Sequence, residues 1–360
     1  GMIEHKTTKL LAAFNHLHIF LDPDPDPAVS WRERKRLFRS KASGWDSYDP
    51  KKISKGGGVF DRHAKSIELS APVRKMLLTE ESRLSGNQLV HEILKMEADL
   101  WYNGGIGTYV KASHETHPAA ADPSNDSVRI DAPELGARTV GEGGNLGFTQ
   151  AARIEFARRG GKINTDFIDN AGGVNTSDHE VNLKILFAGE VDSGSMKPAT
   201  RNKLLAGASD EVVHDVLVAN SDQALMISLD ERRSRRDLAA FERVIDDVSR
   251  HFGIKRSSLH LPAVRAVEQR IADREGLSRP ELATLSARVK MKLYEELLED
   301  PAVEMEGLMP AARNYFPESL RGRFSKNIDA HDLRREIALT RLTNRIVDHA
   351  GCTFFTEMAA

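Results

Sequence analysis

Residues 141–147 read GEGGNLG, four glycines in seven positions, with ARTV before them and TQAARIEF after. Glycine loses more conformational entropy on folding than any other residue, so such a cluster is kept where φ is positive or where something approaches the backbone closely. The flanks read as a strand entering the turn and a helix leaving it, which aims backbone N–H groups and a helix N-terminus at an anionic or polar ligand. The spacing departs from the dinucleotide fingerprint G-x-G-x-x-G. Gly141 and Gly143 begin it, but Leu146 stands where the next glycine belongs and Gly147 comes one residue late. A strand-to-helix turn with no ligand is the alternative these residues leave open.

The wider pattern changes part-way along the chain. Twenty of the 26 glycines fall within residues 1–195. There, strand-like runs HIFLD (18–22), ADLWY (98–102), ARTVG (137–141) and KINTDFI (162–168) are separated by helix-like QLVHEILKM and TQAARIEFARR. Alternation of this kind predicts a mostly parallel sheet covered by helices. Beyond a boundary placed near VDSGSMKP (191–198) the pattern is helical: Leu238, Phe241, Ile245, Val248 and Phe252 recur at three- and four-residue steps up to Gly253. Ser278, Pro280 and Glu281 form a capping-box start, and Leu333, Ile337, Thr340 and Val347 mark a last helix that ends at Gly351. The expected fold is therefore α/β: a Rossmann-like domain over residues 1–192, then an all-α region over 193–360.

Charge excludes some partners. Lys+Arg 51 against Asp+Glu 53 gives a formal net charge of −2, so no overall field draws nucleic acid or an anionic membrane. The basic runs ERRSRRD (231–237) and LRREI (333–337) lie on helices with apolar opposite faces and read as solvated surface. Cys352 is the single cysteine, which rules out an intrachain disulfide and suits a reducing, cytoplasmic setting. It is expected to be a buried, inert thiol. Thirteen histidines include the pairs His16/His18 and His114/His117, but none lies in an H-E-x-x-H pattern, and no metal site is expected.

A second amide beside glycines occurs in NTDFIDNAGGVNTSDHEVNLKIL (164–186), where a short strand is expected to end at Asn170. Ligands of parallel sheets bind outside the carboxyl ends of the strands, so Asn145 and Asn170 are expected to face one site. Each offers one acceptor and two donors, which suits the carboxamide and ribose of a nicotinamide nucleotide.

Glu142-Gly-Gly-Asn145, Asn170-Ala-Gly-Gly-Val174 and Ser177 together resemble the E-G-A-N … N-A-G-G-V … S segment of glutamate dehydrogenases. With YNGGIGTYVKAS (102–113), LSRPELATL (277–285), YFPESLRGRF (315–324) and LRREIALTRLTN (333–344), the likeness covers nearly the whole chain and resembles the very large NAD-specific bacterial enzymes. It implies NAD as cofactor, contacted by Asn145 and Asn170 with Gly104, Gly143 and Gly144 giving close approach. It also implies that Ser177, with Val174 beside it, reaches the substrate's side-chain carboxylate. Ser177-x-x-Glu180 is equally a capping box opening a helix. Asp22, ending HIFLD before the stiff PDPDP, would hold the adenosine ribose hydroxyls, or else cap an acidic turn.

The implied reaction is oxidative deamination of L-glutamate to 2-oxoglutarate and ammonium, in a parent expected to be a homo-oligomer. About 17 residues precede HIFLD and read as a helix, TTKLLAAFNH, so the first strand and its glycine turn are missing, as is any segment matching the family's catalytic lysine and aspartate. The chain is expected to be a portion of a longer enzyme, with no catalytic residue of its own and no turnover alone. A non-catalytic scaffold or assembly module on a nucleotide fold is the rival reading, and another amino-acid dehydrogenase a further one.

Overall fold

Asn15 decides the first element. Its Oδ1 accepts the backbone N–H of Leu17 at 2.8 Å and of His18 at 2.7 Å, folding the chain back on itself. Local side-chain bonding of this kind competes with helix formation. In the computed structural model, which describes residues 5–40 and 44–354, the expected TTKLLAAFNH helix is accordingly replaced by a strand, Ala12–Phe14. It pairs antiparallel with His18–Leu21, which pairs antiparallel with Gly58–Asp61.

The described residues form two compact units. One comprises residues 5–40, 44–141 and 146–162, the other 142–145 and 163–354. This division differs from the expected boundary near 191–198. The helix Ala171–Asp192 buries Leu183, Leu186 and Phe187 in a cluster with Val212, Val216, Phe316 and Ile337, and so joins the helical unit.

The first unit is mixed α/β. Besides the antiparallel triplet it holds the antiparallel pair Ile67–Glu68 and Arg83–Leu84, and the parallel pair Val110–Lys111 and Ile130–Asp131. Strand Ala98–Asn103 lies hydrogen-bonded beside Ala137–Glu142, and Thr139 makes a parallel bridge to Lys162. Small sheets thus stand where a single parallel sheet is predicted. Ile19, Leu21, Val73, Leu89, Val90 and Ile93 are central to the largest apolar cluster of this unit. Helix Gly86–Lys95 turns Leu89, Val90 and Ile93 inward after a capping box in which Ser85 and Gln88 satisfy each other's end of the first turn.

The fourth expected strand, KINTDFI, is not one. Beyond Lys162 the chain makes a helical turn, Asp166–Asp169, and then enters Ala171–Asp192 with Asn170 at its N-cap. Thr165 and Asp166 supply the cause: the Thr165 carbonyl accepts the Ile168 N–H at 2.9 Å and the Asp166 carboxylate accepts the Phe167 N–H at 2.8 Å.

The helices of the second unit follow their caps. Asp237 accepts the N–H of Ala240 at the start of Leu238–Phe252, and Gly253 ends that helix at φ 61°. Phe241, Ile245 and Val248 pack with Leu282, Leu285 and Val289 of Arg279–Glu299 and with Val347 of Arg334–Ala350. The capping box at Ser278 and Glu281 forms as predicted, and Glu281 also binds the buried Arg270 through both oxygens, at 2.8 and 3.0 Å. Among the described residues no helix is long and apolar enough to cross a membrane.

Candidate functional site

Asn145 and Asn170 meet. The Nδ2 of Asn170 donates to the Oδ1 of Asn145 at 2.7 Å, on the exposed surface of the second unit. That bond leaves the Nδ2 of Asn145 as a donor and the Oδ1 of Asn170 as an acceptor, groups of the kind a primary carboxamide can pair with.

Helix Ala171–Asp192 carries the rest of this edge. Positions 170, 174 and 177 are four and three residues apart and share one face. Val174 and Ser177 are exposed on it, and at about 1.5 Å of rise per residue Ser177 lies roughly 10 Å along the axis from Asn170. Ser177 is therefore inside the helix and opens no capping box. The positive end of the helix, which fades within the first turn, belongs to Asn170 and the two glycines after it. A Cβ on Gly173 would stand 3.0 Å from the Oδ1 of Asn170, so the absence of a side chain there keeps that acceptor uncrowded.

Within the glycine turn, the residue with positive φ is Leu146, at 64°, the position where the fingerprint asks for glycine. Gly143 and Gly144 are half-buried beside Asn145. Gly141 has a packing reason of its own, because its added Cβ would lie 3.3 Å from the ring of Tyr102. Gly104, exposed in the first unit, follows strand Ala98–Asn103.

Asp22 stands at the turn after its strand. It is fully buried, and one carboxylate oxygen accepts both the Ser54 hydroxyl and, at 3.2 Å, the Ser54 N–H. As placed, it fixes the turn after its strand and is not offered to a ribose. Asp26 is used as the N-cap of helix Pro27–Arg39, while Asp24 stands in solvent with a 3.9 Å ion pair to Lys9.

Three polar residues behind the amide pair have no counterpart in the sequence reading. The Oδ2 of Asp169 accepts the Glu142 N–H at 3.0 Å, its Oδ1 accepts the Nδ2 of Asn164 at 2.8 Å, and the Oδ1 of Asn164 accepts the Nε of Arg279 at 2.8 Å. Farther along the same helix, Tyr315 donates to Asp178 at 2.6 Å and stacks on His179 with ring centroids 4.3 Å apart. Burial pushes the Tyr315 hydroxyl up and His179 below its ordinary pKa. Burial likewise raises the Cys352 thiol, with Asp230 beside it adding to the effect.

The family model for the catalytic domain of bacterial NAD-glutamate dehydrogenase matches residues 1–230. The chain belongs to this family. The model for the C-terminal region of glutamate dehydrogenase matches residues 274–360. The NAD-specific glutamate dehydrogenase of Pseudomonas aeruginosa is 44% identical over 358 residues, 99% of this chain and 22% of that protein. Those of Halomonas elongata and Mycobacterium tuberculosis are each 42% identical over 99% and 100% of this chain, again 22% of each relative. The chain thus spans about a fifth of the length of the relatives it matches, and this glutamate dehydrogenase segment includes the whole Asn145–Asn170 edge.

Proposed function

We propose that this chain is the nicotinamide-side portion of an NAD-dependent glutamate dehydrogenase whose parent converts L-glutamate to 2-oxoglutarate and ammonium. The observation that carries the reading is the exposed Asn145–Asn170 bond of 2.7 Å, which leaves the Nδ2 of Asn145 as a donor and the Oδ1 of Asn170 as an acceptor. A nicotinamide carboxamide satisfies both at once, its carbonyl taking the Nδ2 of Asn145 and its amino group giving to the Oδ1 of Asn170. Gly143 and Gly144 allow the ring to come close to the backbone, and Gly104 serves close approach in its own unit. The strands Ala98–Asn103 and Ala137–Glu142, with the parallel bridge to Lys162, support reading this part of the chain as belonging to a Rossmann-like sheet.

Bound NAD supplies the hydride acceptor. The chain's own task is orientation, which converts an encounter into a positioned reaction. Ser177, about 10 Å along the helix from the amide pair, suits a hydrogen bond to the substrate's distal carboxylate, with Val174 between them as apolar packing. Asp22 has no part in this reading while Ser54 holds it.

Calorimetric titration of the chain with NADH tests it. Asn145→Ala and Asn170→Ala are each expected to weaken binding about tenfold, the loss of one or two hydrogen bonds. Equal affinity in both variants would leave a non-catalytic scaffold as the surviving reading. The unmodified chain is expected to form no NADH from glutamate and NAD.

A further inference from the structure

We propose that Arg279, Asn164 and Asp169 are positioning residues that set the distance between Asn145 and Asn170, and so tune nucleotide affinity from the C-terminal region of the chain. The role in affinity rests on the reading above; the hydrogen-bonded relay does not.

Each link has one direction. Arg279 can only donate, and its Nε is bound to the Oδ1 of Asn164 at 2.8 Å, which turns the Nδ2 of Asn164 toward Asp169. Asp169 accepts that Nδ2 on one oxygen at 2.8 Å and the Glu142 N–H on the other at 3.0 Å. Asp169 is the chain neighbour of Asn170, and Glu142 lies three residues before Asn145. One carboxylate therefore ties together the two segments that carry the amide pair. Arg279 is fixed in turn by the Ser228 hydroxyl at 2.8 Å and an ion pair of 3.8 Å to Glu231, both on helix Ser209–Arg236. Arg279 opens the helix Arg279–Glu299, 115 residues from Asn164. The helical region is thereby connected, bond by bond, to the edge that would read the nicotinamide.

The fixed direction makes the proposal testable by exchange. Asp169→Asn sets an amide donor against the amide donor of Asn164 or against the Glu142 N–H, and Arg279 prevents Asn164 from turning over to accommodate it. Asn164→Asp sets two carboxylates against each other. In the double variant Asn164→Asp/Asp169→Asn the acceptor stands beside Arg279, the amide donates back to it, and the amide oxygen still accepts from Glu142, so all three bonds re-form with the same total charge.

Two readouts on the full chain are needed: NADH affinity, and hydrogen exchange of the Glu142 amide measured by NMR without nucleotide. Each single variant is expected to weaken NADH binding about tenfold and to speed Glu142 exchange at least tenfold, while the double variant returns both to within about threefold of the starting chain. Accelerated exchange with unchanged affinity would overturn the positioning role, as would a folded double variant that recovers neither property. If the starting chain binds no NADH, the nucleotide reading falls. Exchange alone then decides the relay: recovery in the double variant upholds it, and unchanged exchange in the single variants overturns it. Should the single variants not fold, the double variant must fold with the starting exchange rate for the relay to stand.

Discussion

Glu281 in the helical unit and Asp22 among the short strands are both carboxylates cut off from solvent, and they are held in opposite ways. Glu281 takes both N–H arms of Arg270 and, on one oxygen, the N–H and hydroxyl of Ser278. Asp22 takes Ser54 on one oxygen, while its Oδ2 lacks a hydrogen-bond partner among the described residues and the nearby Ser30 and Tyr48 hydroxyls lie against each other without a well-formed bond. Glu281 is thus closed from both sides, and Asp22 is held from one. Removing a partner is expensive in the first case because it strands a buried charge, and much less so in the second.

The largest expected effect follows from that contrast. Glu281→Ala leaves Arg270 buried without its counterion and dissolves the cap of Arg279–Glu299, so urea denaturation should show a loss of about 3–5 kcal/mol. A loss under about 1 kcal/mol would mean that Arg270 escapes to solvent and that the two carboxylates do not differ in the way described. Next comes the pair that probes Asp22. Ser54→Ala removes one of its donors and is expected to cost about 1–3 kcal/mol, whereas Tyr48→Phe deletes a hydroxyl that has no well-formed bond and should change stability by less than about 1 kcal/mol. Thermal melts of the two variants side by side would reverse this ordering if the Tyr48 hydroxyl were a true link.

The smallest effect is in pH. Burial lowers the pKa of His179 in the folded chain below its ordinary value of 6.5, with Asp178 and Asp215 opposing the shift and Arg341 adding to it. A group depressed in this way contributes stability that is complete above the unfolded pKa and is lost as pH falls from about 6.5 toward the folded value. The slope should be at most about 1.4 kcal/mol per pH unit. Comparing the chain with His179→Gln between pH 5 and 7.5 isolates it: the variant's stability should fall less steeply on acidification, and parallel curves would remove His179 as a source.

Legibility in the sequence follows the range of the forces involved. Leu238–Phe252, Arg279–Glu299 and Arg334–Ala350 are readable because periodicity and caps act within a few residues. The strands His18–Leu21, Ala98–Asn103 and Ala137–Glu142 are readable as strands, but their partners are not, since pairing is set by tertiary packing and here produces several small sheets. Asn15 and Asp166 turn the chain through local side-chain bonds that an apolar pattern does not register, which is how TTKLLAAFNH and KINTDFI mislead. The amide pair is legible because glycines mark both of its segments. The relay behind it is not, since Arg279 and Asn164 lie 115 residues apart and neither sits in a recognisable local pattern with the other.

Gly173 bears a consequence of its own. Alanine suits a helix interior better than glycine by roughly 0.5–1 kcal/mol, yet a methyl at this position would stand 3.0 Å from the Oδ1 of Asn170. Under the proposed function, firmness of the helix and fidelity of the amide pair pull against one another at a single hydrogen atom, and a sturdier variant chosen by melting temperature alone would be drawn toward crowding that oxygen.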